Sequence, residues 1–324
     1  MKRRAAVVAL AAAVAGLTVA CKAPARRLYT IGVLELTESP TSADVRAGFL
    51  RALEAGGLRD GVNVRIDIRN ARNDVSSAQE IAQEFAGGRA DLIVAVSTAA
   101  LQAVLAASPR APVVFTAVAN PYLTRAGSSP VQHLPNVTGV ASTGPIWPTL
   151  EFLKRLLPRA RRIGTLWTPS EVNSEHYLEL ARSAAAELGL EIVAVPVANG
   201  GEVPLAAQVL VNGKVDAIYQ ISDNTINNAF DTLGRLAEEN AIPLVGGFLR
   251  ATLAGACAAM GWDFVDMGAR TGALVLRLKS GESPAAIPFQ SMSEVKLSIN
   301  RTAAKKQGVT FPDEVLKQAS EIRD

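Results

Sequence analysis

Two stretches of the chain, Ala90-Asp-Leu-Ile-Val-Ala-Val-Ser-Thr98 and Val215-Asp-Ala-Ile-Tyr-Gln-Ile-Ser-Asp223, share one pattern: an aspartate, a short and largely apolar run, then two small polar residues. Such a run, rich in β-branched residues, reads as a strand buried on both faces, which is what a parallel sheet covered by helices demands. The Ser-Thr and Ser-Asp pairs that follow supply the side-chain oxygens that start a helix.

Working outward from the first stretch, strands are expected at 29–36, 62–68, 91–96 and 112–118. Helices are expected between them at 42–56, where Val45, Phe49, Leu50 and Leu53 keep helical spacing, and at 76–86 and 98–107. Around the second stretch the same order returns. Ile31-Gly-Val-Leu-Glu-Leu36 is answered by Ile163-Gly-Thr-Leu-Trp-Thr168, Leu53-Glu-Ala-Gly-Gly-Leu58 by Glu187-Leu-Gly-Leu190, and Ala111-Pro-Val-Val-Phe115 by Pro243-Leu-Val-Gly-Gly247. Correspondences in the same order, each about 130 residues apart, imply two similar α/β lobes, each a doubly wound, Rossmann-like unit with a parallel sheet.

Length agrees, since 324 residues fit roughly two units of about 150 residues. A composition that is 49% hydrophobic and 19% charged excludes a disordered chain. Two Cys and two His leave too little for a disulfide framework or a zinc cluster, so no metal and no cofactor are expected. The N-terminus carries Lys2, Arg3 and Arg4, then an uncharged Ala/Val/Leu-rich run to Ala20, which is the layout of a secretory signal. Of 33 basic and 30 acidic residues, three basic ones leave with it, so the mature chain is formally neutral and nucleic acid is not an expected partner. Leu17-Thr-Val-Ala-Cys21 resembles a bacterial lipobox, with Thr18 where Leu is commoner, and this makes Cys21 the expected lipidation site. Residues 1–20 then form the signal peptide and 21–28 a lipidated tether. Cys257, in Gly255-Ala-Cys-Ala-Ala-Met260, reads as a small apolar packing residue.

In open parallel sheets a ligand sits beyond the carboxyl ends of the strands. Those ends present Thr37 and Glu38, Ser97, Thr98 and Ala99, and Thr116 in the first lobe. In the second they present Asn173 and Ser174, Asp223, Asn224 and Thr225, and Gly246 and Gly247. The backbone N–H groups at Ser97 to Ala99 open a helix and suit a carboxylate, while Asp223 offers a negative charge to an ammonium group. Phe115, Tyr122, Trp147, Trp167 and Phe248 are candidates to line the cleft, because rings suit a planar solute.

These segments, with GFLRALEAGGLRDGVNVRIDIRNARND, APVVFTAVANP, NVTGVAST, RIGTLWTPSEVNS, KVDAIYQISDNT, AIPLVGG and NRTAAKKQGVTFPDEVL, resemble the tryptophan/tyrosine-type substrate-binding lipoproteins of ABC importers over residues 28 to 316. The resemblance implies a type I periplasmic-binding-protein fold, in which a three-segment hinge joins two lobes that close on a small solute. It places the crossings near Val140 to Thr143, Gly261 to Phe264 and Gln290 to Glu294, with Ser142 at the first of them a further candidate for ligand contact. Lobe 1 would comprise 29–140 plus about 265–291, and lobe 2 141–264 plus about 292–324. An aromatic amino acid or related carboxylate is the implied ligand, with an ABC permease and its ATPase as partners. The chain is expected to work as a monomer, exported and held at a membrane through Cys21. Relatives place Ser or Asp where this chain has Gly246-Gly247. An α-amino group would therefore fall to Asp223 or Glu38, or the ligand is not an amino acid.

An enzyme needs a nucleophile and base, and no G-x-S-x-G, Walker or G-x-G-x-x-G motif occurs; no catalytic residue is expected. His133 falls in a loop and His176 in the first turn of a helix. A sensory binding protein that presents its ligand to a membrane receptor would share the same fold and pocket, and remains the alternative.

Overall fold

The computed structural model describes residues 27–324. The expected signal peptide, Cys21 and all of the tether up to residue 26 lie outside the described residues.

Chain order runs β1 (Tyr29–Glu35), α1 (Pro40–Ala55), β2 (Val64–Asn70), α2 (Val75–Glu84), β3 (Leu92–Val96), α3 (Thr98–Ala106), β4 (Val113–Val118) and β5 (Val137–Ala141). It continues with α4 (Ile146–Leu156), β6 (Arg162–Trp167), α5 (Val172–Glu187), β7 (Glu191–Pro196), α6 (Val203–Asn212), β8 (Ala217–Gln220), α7 (Asn224–Asn227), α8 (Phe230–Glu239), β9 (Leu244–Gly246) and β10 (Ala258–Gly261). The remainder is α9 (Phe264–Lys279), β11 (Gln290–Ser291), β12 (Lys296–Asn300), α10 (Arg301–Lys306), α11 (Asp313–Gln318) and β13 (Glu321–Arg323).

Two sheets result, ordered β2-β1-β3-β4-β5-β11 and β7-β6-β8-β9-β10-β12-β13. The first five strands of each follow one plan, so the duplicated sequence pattern is a duplicated topology of two α/β lobes. All pairings between the named strands are parallel except β10 with β12. Strands β3 and β8 are buried along their whole length, because helices cover both faces. The aspartate before each is a fixed connector. Asp91 accepts from the Thr30 N–H at 2.7 Å, and Asp216 from the N–H groups of Arg161 and Arg162 at 2.7 and 2.8 Å.

The chain passes between the sheets three times. β5 lies in the first sheet and β6 in the second; β10 lies in the second, yet α9 packs on α1 of the first lobe; β11 pairs with β5 and β12 with β10. The α1–α9 contact is backbone to backbone: a Cβ on Gly48 would stand 1.9 Å from the Val265 carbonyl oxygen, and one on Gly268 2.0 Å from that of Val45. Cys257 is fully buried, its Sγ–H donates to the Leu244 carbonyl, and burial pushes its thiol pKa up to about 12. Among the described residues no helix is long and apolar enough to cross a membrane.

Candidate functional site

The carboxyl ends of both sheets face one cleft. Its lobe 1 wall comes from Leu36 and Thr37 after β1, Ser39 and Ser42 at the start of α1, Ser97 and Thr98 at the β3–α3 junction, and Ala117 and Ala119 beyond β4. Its lobe 2 wall comes from Asn173 and Tyr177 on α5, Ser222 after β8, Asn224 and Asn227 on α7, and Gly247 after β9. Ser142, Gly144, Trp262 and Phe264, where the chain crosses between lobes, close the back. The space between the walls is about 710 Å³ with its open mouth included, of which about 60 Å³ is free to the centre of a water-sized sphere. Among the described residues no Asp, Glu, Lys or Arg lines it.

The backbone is strained within the lobe 1 wall. Ser97 has φ 104 and ψ 162, a region that is nearly glycine-only and costs on the order of 1–3 kcal/mol. Its Oγ accepts from the Ala100 N–H, and its own N–H donates to the Thr116 carbonyl. Ala117 also has positive φ, at 53, where the β4–β5 register slips between Phe115 and Val118. A bulge at this point re-aims the chain and turns Ala117 and Ala119 to the cleft. Thr98 is almost fully buried, and its Oγ1 accepts from the Ala119 N–H at 3.3 Å.

Aromatic residues do reach the cleft, but not the expected ones. Phe115 lies in the lobe 1 core, edge-on to Phe289 at 4.7 Å. Tyr122 stacks on the outer side of Phe289. Trp147 is exposed and donates its indole N–H to Glu187. Trp167 packs on the lobe 2 core, and Phe248 pairs edge-on with Phe230. None of the five is on the cleft wall, although Trp167 is the last residue of β6. The cleft rings are Tyr177, Trp262 and Phe264. Tyr177 donates its hydroxyl to the Ser142 carbonyl at 2.9 Å, and Trp262 donates its indole N–H to the Thr143 carbonyl at 3.0 Å. Both rings are thus locked to the first crossing, and burial pushes the Tyr177 hydroxyl pKa up.

Of the residues singled out in the sequence, the structure brings Thr37, Ser97, Thr98, Ser142, Asn173, Asn224 and Gly247 to the cleft wall. It does not bring the others there. Glu38 is exposed and paired with Arg46, the nearest hydrogen bond being 2.5 Å. Ala99 packs on the lobe 1 core, and Gly246 is buried within β9. Thr116 is fully buried in β4, with its hydroxyl unpartnered. Ser174 is fully buried and accepts from the Thr168 N–H.

Asp223 is 1% exposed and accepts from the N–H groups of Ile226 at 2.8 Å and Thr168 at 3.0 Å. It therefore caps α7 instead of facing a solute. Burial, then the negative charge of Glu171, raises its pKa to about 7. Thr225 is turned away too, its hydroxyl donating to Glu171. Ser39, Ser42, Tyr177, Ser222, Asn227, Trp262 and Phe264 are on the wall as well, with Thr41 and Val96. Trp262 and Phe264 fall in the crossing that the sequence marked, and that was the signal available for them. Asn227 lies three residues past Asn224 on the same turn and carries a buried, unpartnered Oδ1.

The two lobes touch across the cleft. Asn228 Nδ2 donates to Thr37 Oγ1 at 2.7 Å, Asn73 Nδ2 donates to Thr225 Oγ1 at 3.3 Å, and the Arg250 guanidinium grips both oxygens of Asp44 at 2.6 Å.

A chain with two parallel-sheet lobes, three crossings and a polar interlobe cleft has the architecture of a solute-binding protein. The profile of the ABC transporter substrate binding protein family matches residues 30–323, and this chain belongs to that family. It is 33% identical over 284 residues to a tyrosine-binding protein of Clostridioides difficile, covering 88% of this chain and 82% of that one. It is also similar to the crystal structure of an ABC domain in complex with L-Trp from Streptococcus pneumonia, with TM-score 0.87, 29% identity, and coverage of 91% of this chain and 100% of that one. A ligand-free, open substrate binding protein from Clostridium difficile gives TM-score 0.70 at 30% identity, covering 91% of this chain and 99% of that one. At nearly equal identity, the structure as a whole is more similar to the L-Trp complex than to the open form.

Proposed function

We propose that this protein captures an aromatic amino acid of the tryptophan or tyrosine type between its lobes and passes it unaltered to an ABC permease driven by its ATPase. The observation that carries this reading is the composition of the cleft: the hydroxyls of Ser97 and Thr98 with the helix-opening N–H of Thr98 on one side, neutral amides at Asn173, Asn224 and Asn227 on the other, and rings at the back. The first set suits a carboxylate. The buried Oδ1 of Asn227 suits an ammonium group, and it replaces the Asp223 or Glu38 charge expected from the sequence. Tyr177, Trp262 and Phe264 give a flat side chain its apolar contact. The family membership and the names of the tyrosine-binding and L-Trp-bound relatives support the same ligand class.

The moving bodies are read as 29–140 with 265–291 and 141–264 with 292–324, and the protein works as a monomer. Residues 1–20 direct export, and acylated Cys21 holds the protein outside the cytoplasm. Titration calorimetry with L-tryptophan and L-tyrosine, against L-leucine and a neutral sugar, tests the ligand class; failure of both aromatic amino acids to bind refutes it. Mass spectrometry of protein extracted from membranes tests the anchor: a lipid-sized mass increment is expected, and its persistence in Cys21→Ser refutes it.

A further inference from the structure

Glu171 precedes α5, yet its side chain makes no cap on that helix. It reaches instead to the start of α7. Its Oε2 accepts from the Asn224 N–H at 3.0 Å, from Asn224 Nδ2 at 2.7 Å and from Asn173 Nδ2 at 3.0 Å. Its Oε1 accepts from the Thr225 N–H at 3.0 Å and the Thr225 hydroxyl at 2.8 Å. Two of these donors, Asn173 and Asn224, belong to the lobe 2 wall. The third residue, Thr225, receives the Asn73 amide from lobe 1. Glu171 itself is 9% exposed and is absent from the cleft lining.

Helix α7 has four residues, and a single turn does not hold itself in water. Its orientation therefore depends on what grips its free N–H groups. A carboxylate is the side chain that offers acceptors on both oxygens and no donor, whereas a glutamine would set an NH2 against N–H donors. We infer that Glu171 is a positioning residue for solute capture, one that aligns Asn173 and Asn224 toward the solute and couples this wall to closure through Thr225 and Asn73 without touching the solute. The inference rests on the cleft being the solute site, and it adds that capture is controlled from outside the contact shell.

The test compares the full chain with Glu171→Gln and Asn73→Ala. Stopped-flow binding with L-tryptophan and L-tyrosine is expected to show affinity weakened about tenfold or more in Glu171→Gln, the scale of one charge-assisted hydrogen bond. The loss should appear in koff with kon nearly unchanged. Asn73→Ala, in an exposed loop, is expected to raise koff in the same sense but less, with a slightly lower melting temperature because residue 73 has φ 61. In the solute-free protein, amide exchange should quicken at Asn224 and Thr225 in Glu171→Gln and stay as in wild type across β6 and β8. Unchanged affinity and unchanged exchange at those two amides overturn the inference, as does an exchange increase spread evenly over lobe 2. Should Glu171→Gln fail to fold, Asn73→Ala carries the test, and wild-type koff in it overturns the coupling. Wild-type protein that binds neither amino acid defeats the proposed ligand class, and exchange at Asn224 and Thr225 then judges Glu171 on its own.

Discussion

Asn228 and Thr37 are 191 residues apart in sequence, yet the Asn228 amide donates to the Thr37 hydroxyl at 2.7 Å, from one lobe to the other. Thr37 is also part of the cleft wall, so this contact bridges the lobes at the site and parting the lobes would break it. Contacts made in the closed state alone act on release more than on encounter. Asn228→Ala removes one neutral hydrogen bond, worth about 0.5–1.5 kcal/mol. It is expected to speed solute dissociation about two- to tenfold and to leave the association rate and the solute-free melting temperature unchanged. Stopped-flow fluorescence checks this, and a changed association rate with constant koff contradicts it.

Ser97 couples strain to function. Glycine reaches φ 104 without penalty, and replacing an N-cap serine by glycine loses only a few tenths of a kcal/mol. Ser97→Gly is therefore expected to raise the solute-free stability by about 1–2 kcal/mol while weakening solute binding, because the hydroxyl on the cleft wall is lost. Thermal or denaturant unfolding paired with calorimetry decides it; a destabilised Ser97→Gly variant would show that the observed φ carries no strain.

Most of the fold is legible in the sequence because its signals are local. The β3 and β8 runs, the serine and aspartate that follow them, and the repeat of both are each contained in about nine residues. The site is legible only in part. Strand ends led to Thr37, Ser97, Thr98, Asn173, Asn224 and Gly247, which lie on the cleft wall because topology alone puts those positions there. What a side chain does there depends on neighbours far away in the chain. Asp223 and Thr225 have the right residue types at the right strand end, but Thr168 and Glu171, more than 50 residues earlier, claim their polar atoms. Trp262 directly follows β10, in a crossing that the sequence marks, but its hold on the Thr143 carbonyl in another crossing leaves no local signal.

The buried pair of Asp223 and Glu171 gives stability a pH dependence of definite sign. The Asp223 pKa is raised in the folded protein from 3.8 to about 7, first by burial and then by Glu171. Between those values the native state binds the proton more than the unfolded chain does, so stability falls as pH rises through the window. This contribution is complete below about pH 4 and lost above about pH 7. Burial lowers the His176 pKa from its ordinary value of 6.5, which acts in the opposite sense below that pH, so the measurement is a difference. Wild type minus Asp223→Asn is expected to show stability decreasing from pH 5 to pH 8. Parallel unfolding curves for the two proteins across that range would contradict it.

The hinge depends on how α9 is seated. This helix begins at Phe264, just after Trp262, and lies against α1 so closely that a Cβ on Gly268 would stand 2.0 Å from the Val45 carbonyl oxygen. Neither backbone can yield locally, so Gly268→Val must push the helices apart. Overpacking of this kind costs about 1–3 kcal/mol. Moving α9 also displaces Phe264 and the Trp262 indole that donates to the Thr143 carbonyl, which links the first and second crossings. Gly268→Val is expected to lower the melting temperature and to weaken solute binding together, whereas Gly281→Ala, at a turn with open space around it and φ 104, should lower stability through backbone strain alone. Full solute affinity in a destabilised Gly268→Val variant would show that the hinge does not feel the α1–α9 contact.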